Sequence, residues 1–498
     1  MTIKDQKERD IIKNVLNKNI FVEAGAGSGK THSLVERMVS MVRSGVEVSK
    51  ITAITFTKAA AVEFYNRFEK MLSEALNSNI PDNEKKLVEK ALLDIDLCFM
   101  GTIDAFCNMI LSENPIEAGV PLNLSIVEEE EYKFLIQDEY NNILKNLSDP
   151  QDKELLKDFL RFQPNAKEAF TQCMICLLDK RNYKIESKPR KEIQAKEQAF
   201  YNKYVDEIQK LVKGFTDDNG KHMFDDGKKI SHEIKEYILE NEWVIFKEWS
   251  EYPSSVIYFL NNGLKKARVD FEIQKMSKAF NDYFIEKTKY YEANKDKVNE
   301  IIKEYKSIQY DYTIAFITRF LNIVSENLIK KGKLSFFDNL YLFRNLLKKD
   351  ISEGGELVKH ITSRHEYYLI DEFQDTNPLQ AEIVFYLTAE NPNVDFSLCK
   401  PKPGRLFIVG DPKQSIYRYR NADVNSYNFI KGLFENNKDE IVNLTTNFRS
   451  NEKLINYFNK QFAITFEDPH DGLQAPFNKV YPSDKQKQGG ALGGVYKY

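Results

Sequence analysis

The stretch FVEAGAGSGKTHSL, residues 21–34, constrains the fold of this chain more than any other. The apolar run NIFVEA leads into glycines alternating with small residues, and the amphipathic run SLVERMVSMV follows. Strand, glycine turn and helix in immediate succession open a parallel α/β sheet. Gly25, Gly27 and Gly29, with Ala24, Ala26 and Ser28 between and before them, leave room for backbone N–H groups to converge on a β-phosphate. Lys30 adds a positive charge, and Thr31 a hydroxyl for Mg²⁺. Ala24 stands where the strict pattern has glycine.

A chain of 498 residues is too long for one hydrophobic core and is expected to form several domains. From 19 to 105, β-rich runs (NIFVEA, ITAITF, CFMGTI) alternate with helical ones, and the alternation returns from 366 to 465 with EYYLID, RLFIVGD and EIVNLTTNF. The two stretches read as one sheet. Between them the texture is helical, charged and aromatic, with Ile273, Met276, Phe280 and Phe284 at helical spacing, both tryptophans (Trp243, Trp249), and basic clusters at 264–268 and 329–333. Each basic cluster reads as a solvated helix face rather than a phosphate contact. The block is read as an all-helical domain inserted into the α/β core.

The 71 basic and 75 acidic side chains nearly cancel, so net charge neither supports nor excludes nucleic acid. Five cysteines do not suggest a disulfide framework, and Cys173-Met-Ile-Cys176 reads as buried thiols on an apolar helix rather than a metal or redox site. With no apolar span and a charged start, MTIKDQKERDII, the expectation is a cytoplasmic protein with no membrane partner.

Hydrolysis at a phosphate cradle needs carboxylates at the end of a neighbouring strand. In YYLIDEFQDT, Asp371 suits the metal and Glu372 the base that activates water, with Gln374 and Asp375 immediately after.

AGAGSGKT (24–31), TFTKAAAVEF (55–64), GTIDAFC (101–107), LIDEFQDT (369–376), VGDPKQSIYRYRNAD (409–423) and NFRS (447–450) occur in that order. Together they resemble superfamily 1A DNA helicases of the UvrD/Rep type, and within that group the RecB/AddA branch. TFTKAAA is similar to that branch's pattern, LSFFDNL (334–340) resembles a further family element, and Asp104 stands where UvrD-type members usually carry His.

The resemblance implies an α/β fold: a RecA-like P-loop parallel sheet (1–114 and 336–445), a large inserted all-helical domain (115–335), and a partial second RecA-like domain from 446 to 498. It implies ATP and Mg²⁺ as cofactors. Gln6 would read the adenine edge and Phe448 pack near it; Lys30 and Thr31 would hold phosphates and Mg²⁺, with Asp371 completing the metal site and Glu372 activating water. Gln414 would sense the γ-phosphate, and Arg449 would reach it. Phe56, Thr57, Thr102, Tyr419 and Arg420 would touch DNA, Tyr419 by stacking on bases. Phe56, ending an apolar strand, reads equally well as core from composition alone. His32 reads as a helix-surface residue.

The implied activity is 3′–5′ translocation on single-stranded DNA and unwinding at forks, in a recombination, repair or antiphage-defence complex with a partner such as a nuclease subunit. Residues 450–498 contain neither the further arginine nor the TxHxxKGLE-like element of the family's second domain. On that count the chain alone is expected to hydrolyse ATP poorly. It is then a piece of a longer helicase, or is completed by a partner, or is a nucleotide-gated DNA-binding or assembly subunit without motor activity.

Overall fold

A computed structural model of the chain describes residues 3–163, 165–215, 278–418, 422–466 and 477–484. The chain forms two compact units, one from residues up to 126 together with those from 336 onward, the other from 127 to 335.

The first unit is built on strands β1 (Ile20–Ala24), β2 (Ile51–Thr55) and β3 (Phe99–Thr102). It also holds the short β4 (Ser125–Ile126), and, after β5 (Lys333–Leu334) of the other unit, β6 (Tyr367–Ile370), β7 (Leu406–Gly410) and β8 (Glu440–Leu444). Six of these form one sheet in the order β3-β2-β6-β7-β1-β8, and every pairing is parallel. Parallel strands covered on both faces must be buried on both, and the inner strands β1, β2, β6 and β7 are, along nearly their whole length. Phe21, Ile54, Ile370 and Ile408 enter one core; Ile20, Val22, Ala53, Leu369 and Val409 enter the other.

Helices α1 (Gln6–Asn14), α2 (Lys30–Arg43), α3 (Lys58–Leu76) and α4 (Asp82–Leu93) contribute to the second of these cores, and α5 (Ile103–Glu113) to the first. The stretch 115–126 falls in this unit, where α6 (Pro115–Ala118) packs on α5. Residues from 446 on also fall in it, with β9 (Thr446–Asn447) paired in parallel to β10 (Tyr481–Pro482).

The second unit is helical: α7 (Glu129–Asn146), α8 (Pro150–Phe162), α9 (Ala166–Leu178), α10 (Arg190–Phe215) and α11 (Lys278–Lys330). Aromatic side chains recur through its core, with Phe159 stacked on Phe316 at 4.7 Å and Phe162 on Tyr312 at 5.0 Å. In the basic cluster at 329–333, Lys330 pairs with Glu326, Lys331 with Glu139 and Lys333 with Glu131. Those charges are answered within the unit, which leaves a paired, solvated face.

Cys173 and Cys176 lie on α9, but Cys173 is only half-buried and Cys176 is exposed. The expected burial of both thiols is therefore wrong for Cys176, because α9 turns its Met174 and Leu178 side to the core. Ile273, Met276, both tryptophans and the 264–268 cluster lie outside the described residues; Phe280 and Phe284 fall on α11. Among the described residues no helix is long and apolar enough to cross a membrane.

Candidate nucleotide and DNA site

Between β1 and α2, Gly27 (φ 76°) and Gly29 (φ 82°) take left-handed backbone. A side chain at Gly27 would also stand 2.8 Å from Arg449 Cβ and 2.9 Å from Asn447 Nδ2. Conformation and close approach both demand glycine there. The N–H groups of Gly29, Lys30 and Thr31 have no partner among the described residues, which at a helix N-terminus leaves donors and dipole open to an anion.

Strand β6 continues its ladder one residue further, the Asp371 N–H donating to Ile54 O at 2.9 Å. That pairing places Asp371 and Glu372 at the carboxyl end of the sheet beside the glycine loop. The Thr31 hydroxyl donates to Asp371 Oδ2 at 3.3 Å, and Lys30 Nζ lies 2.9 Å from Glu372 Oε2. Two segments of opposite charge, far apart in the chain, thus meet at one point. Burial first, then the charge of Glu372, pushes the Asp371 carboxyl up to about 6, and the same causes act on Asp375.

A buried acid under that pressure beside a hydroxyl fits a divalent cation, which would favour the charged form. Among the described residues no group of three or more His, Cys, Asp or Glu is arranged to hold a metal alone. The donor set suits Mg²⁺, which keeps several waters and takes one or two carboxylates along with phosphate oxygens.

The NFRS segment lies directly on this loop. The Phe448 N–H donates to Gly27 O at 2.8 Å, and Asn447 Nδ2 to Ala26 O at 2.8 Å. Asn447 Oδ1 in turn accepts from the N–H groups of Arg449 and Ser450. Arg449 is exposed, and among the described residues its guanidinium forms no ion pair.

Beside Gly29 opens a pocket of about 450 Å³ whose walls include Gln6, Arg9, Asp10, His32 and Phe448. Gln6 Nε2 donates to Asp10 Oδ1 at 2.9 Å, and the Arg9 guanidinium lies 5.0 Å from the Phe448 ring centroid. His32 is exposed on α2, as expected.

Asp5 and Arg9 carry no motif, yet they organise this corner. Arg9 pairs with both oxygens of Asp5 and donates to Ser28 O at 2.9 Å; Asp5 also accepts from the N–H groups of Thr445 and Thr446 and from the Thr446 hydroxyl. Burial would raise the Asp5 carboxyl, but the Arg9 and Thr446 hydrogen bonds outweigh it and hold the group below its usual range. The one signal in the sequence is an acid and a base four apart at the start of a helix.

Gln414 Nε2 donates to Asp411 Oδ2 at 2.7 Å, and that oxygen is 3.9 Å from where a Gly25 Cβ would stand. Phe56 follows β2 and is half-buried, its ring 4.5 Å from that of Tyr417 at an interplanar angle of 36°. Nothing in the SIYRYR run singles out Tyr417 for that contact. Thr57 caps α3 by accepting from Ala60 N–H, and Thr102 caps α5 by accepting from Ala105 N–H. Because β2 and β3 are neighbours, with Thr55 opposite Thr102, these residues share one sheet edge. Tyr419 and Arg420 lie outside the described residues.

The family model of the UvrD/REP helicase N-terminal domain matches residues 4–248 and 227–435. The chain belongs to that family. Curated relatives in the same comparison include an ATP-dependent helicase/nuclease subunit from Ligilactobacillus salivarius, 25% identical over 91% of this chain and 38% of the relative. The proteins of the same name from Clostridium perfringens and Staphylococcus haemolyticus are 26% and 24% identical, over 93% and 88% of this chain and 38% and 37% of those proteins. The chain therefore spans about two fifths of the length of the curated relatives it matches. Within the family assignment, the six-stranded parallel sheet is the RecA-like α/β fold.

Proposed function

We propose that this chain carries the nucleotide-binding motor domain of an ATP-dependent DNA helicase. It translocates 3′–5′ on single-stranded DNA with Mg²⁺, in company with a protein partner such as a nuclease subunit. The observation that carries the reading is the meeting of Lys30 and Thr31 with Glu372 and Asp371 at the end of one sheet. The relatives' name, which joins helicase to nuclease, supports both the DNA substrate and the partner.

In this reading Lys30 leaves Glu372 for the phosphates, and the freed carboxylate orients the attacking water. Thr31 and Asp371 hold Mg²⁺, which when bound with ATP neutralises charge developing on the transferred phosphoryl group. The loop N–H groups hold the β-phosphate, Gln6 and Phe448 hold the base, and Gln414 and Arg449 respond to the γ-phosphate. Phe56, Thr57 and Thr102 face DNA along one edge, with Tyr419 and Arg420 as further contacts. Residues from 446 onward, although they pack within the α/β unit, belong to a second motor domain in this reading, and residues 127–335 form the helical arm.

The test is ATP turnover, with and without single-stranded DNA, by the native assembly purified from its host, carrying either the wild-type chain or Lys30→Ala. DNA-stimulated turnover lost in Lys30→Ala is expected. Turnover that ignores DNA, or that survives Lys30→Ala, overturns the reading. ATP-dependent DNA affinity without turnover would instead favour a nucleotide-gated binding subunit.

A further inference from the structure

Gln374 is only 2% exposed and has no role in the scheme above, yet every polar atom of its amide is committed. Its Nε2 donates to Glu372 Oε2 at 2.7 Å and lies 3.4 Å from Asp375 Oδ2. Its Oε1 accepts from the Asp411 N–H at 2.8 Å, and its own carbonyl accepts from the Ser415 hydroxyl at 3.0 Å. Asp411 is the residue whose carboxylate accepts from Gln414. A side chain at Gly410 would stand 2.9 Å from Gln374 Oε1, so the bare backbone there is what lets the amide reach Asp411.

Glu372 therefore has two donors on one oxygen, Lys30 and Gln374. In the ATPase reading Lys30 turns to phosphate, whereas Gln374 is anchored to the end of β7 through the Asp411 N–H. Glu372 also sits in left-handed backbone, φ 53°, a conformation that persists only when its surroundings hold it.

We infer that Gln374 is a positioning residue. It fixes the Glu372 carboxylate for water activation once Lys30 has turned to phosphate, and it references that carboxylate to the Asp411–Gln414 turn. The inference rests on the ATPase reading above. It requires that loss of the Nε2 donor impair the chemical step and leave nucleotide binding intact, since a misplacement near 1 Å costs about 10²-fold in rate.

Two variants separate this role from simple packing. Gln374→Leu removes both amide contacts; Gln374→Glu keeps an acceptor for Asp411 N–H but sets a carboxylate against Glu372. Steady-state kinetics on the native assembly should give kcat lower by about 10²-fold in both, with KM for ATP within about twofold. Because Gln374→Glu buries a carboxyl beside Glu372 and Asp375, its melting temperature should fall by several degrees, and kcat is read at a temperature where the variant is fully folded.

If Gln374→Leu does not fold, Gln374→Glu alone decides. A kcat within twofold of wild type in Gln374→Glu overturns the positioning role and leaves the ATPase reading standing. A Ser415→Ala variant that loses as much kcat as Gln374→Glu at the same drop in melting temperature would mark a purely structural residue and also overturn it. No turnover in the wild type removes the ATPase reading, and this inference with it.

Discussion

Lys30 Nζ lies 2.9 Å from Glu372 Oε2 across 342 residues of sequence, and under the proposed function this pairs the cation that would take phosphate with the carboxylate that would orient water. A bound nucleotide would have to compete with that pairing. Lys30 is buried and Glu372 about one-third exposed, so the pair itself contributes modestly, on the order of 1 kcal/mol or less.

Replacing Glu372 by Gln weakens that hold on Lys30 without moving it. The affinity for a fluorescent Mg·ATP analogue should equal that of wild type or tighten by up to about fivefold, while turnover falls by at least about 10²-fold. Equilibrium titration and single-turnover kinetics check both, and a Kd weakened more than tenfold would contradict the arrangement.

Gly27→Ala should remove nucleotide binding. Its methyl would collide with Arg449 Cβ and Asn447 Nδ2 at a φ of 76°. Left-handed backbone at a non-glycine residue adds about 1–2 kcal/mol. The loop must distort or the 447–449 segment must lift off, and hydrogen exchange at the Phe448 N–H, which donates to Gly27, reads the second outcome directly.

Asp5→Ala leaves the buried Arg9 guanidinium without its partner, which should cost about 3–5 kcal/mol at pH 7 by urea denaturation. The folded carboxyl titrates below its usual 3.8, so its contribution is fully present above about pH 4 and is lost as pH falls through the folded value. The gap between wild type and variant should therefore narrow on going from pH 7 to pH 3. A gap that widened there would reverse the sign of the argument.

Arg37 is 1% exposed and donates to the carbonyls of Ile12, Val15 and Lys18, with no carboxylate among these contacts. Burial lowers the guanidinium to about 10, and it stays charged at neutral pH. Arg37→Met strips donors from carbonyls at the end of α1, each worth about 1–3 kcal/mol when buried and unpaired. Relief of the buried charge offsets part of this. A net loss of about 1–3 kcal/mol is expected from the shift in urea midpoint, with weaker nucleotide binding because α1 carries Gln6 and Arg9.

What could be read from the chain was whatever is encoded within a few consecutive residues. NIFVEA, the glycines at 25, 27 and 29, and the helix after Lys30 specify strand, turn and helix by local backbone preference alone. The acid pair after YYLI follows from its place at a strand end. The solvated face at 329–333 and the exposed His32 were legible as charged or polar positions, but the acidic partners of Lys331 and Lys333 and the exposure of Cys176 were not, since neither a charge run nor an apolar run says which distant side chain lies against it.

The sequence by itself determined the elements, their order and the chemistry of the cradle, because each rests on short-range sterics and periodicity. Only the tertiary structure decided that Asp5 would join Arg9 to Thr446, that Asn447 would lie on Ala26, and that Gln374 would bridge Glu372 to Asp411. Those contacts arise where strands paired in the order β3-β2-β6-β7-β1-β8 bring their carboxyl ends together, and no local pattern records which distant loop a parallel sheet will set beside another.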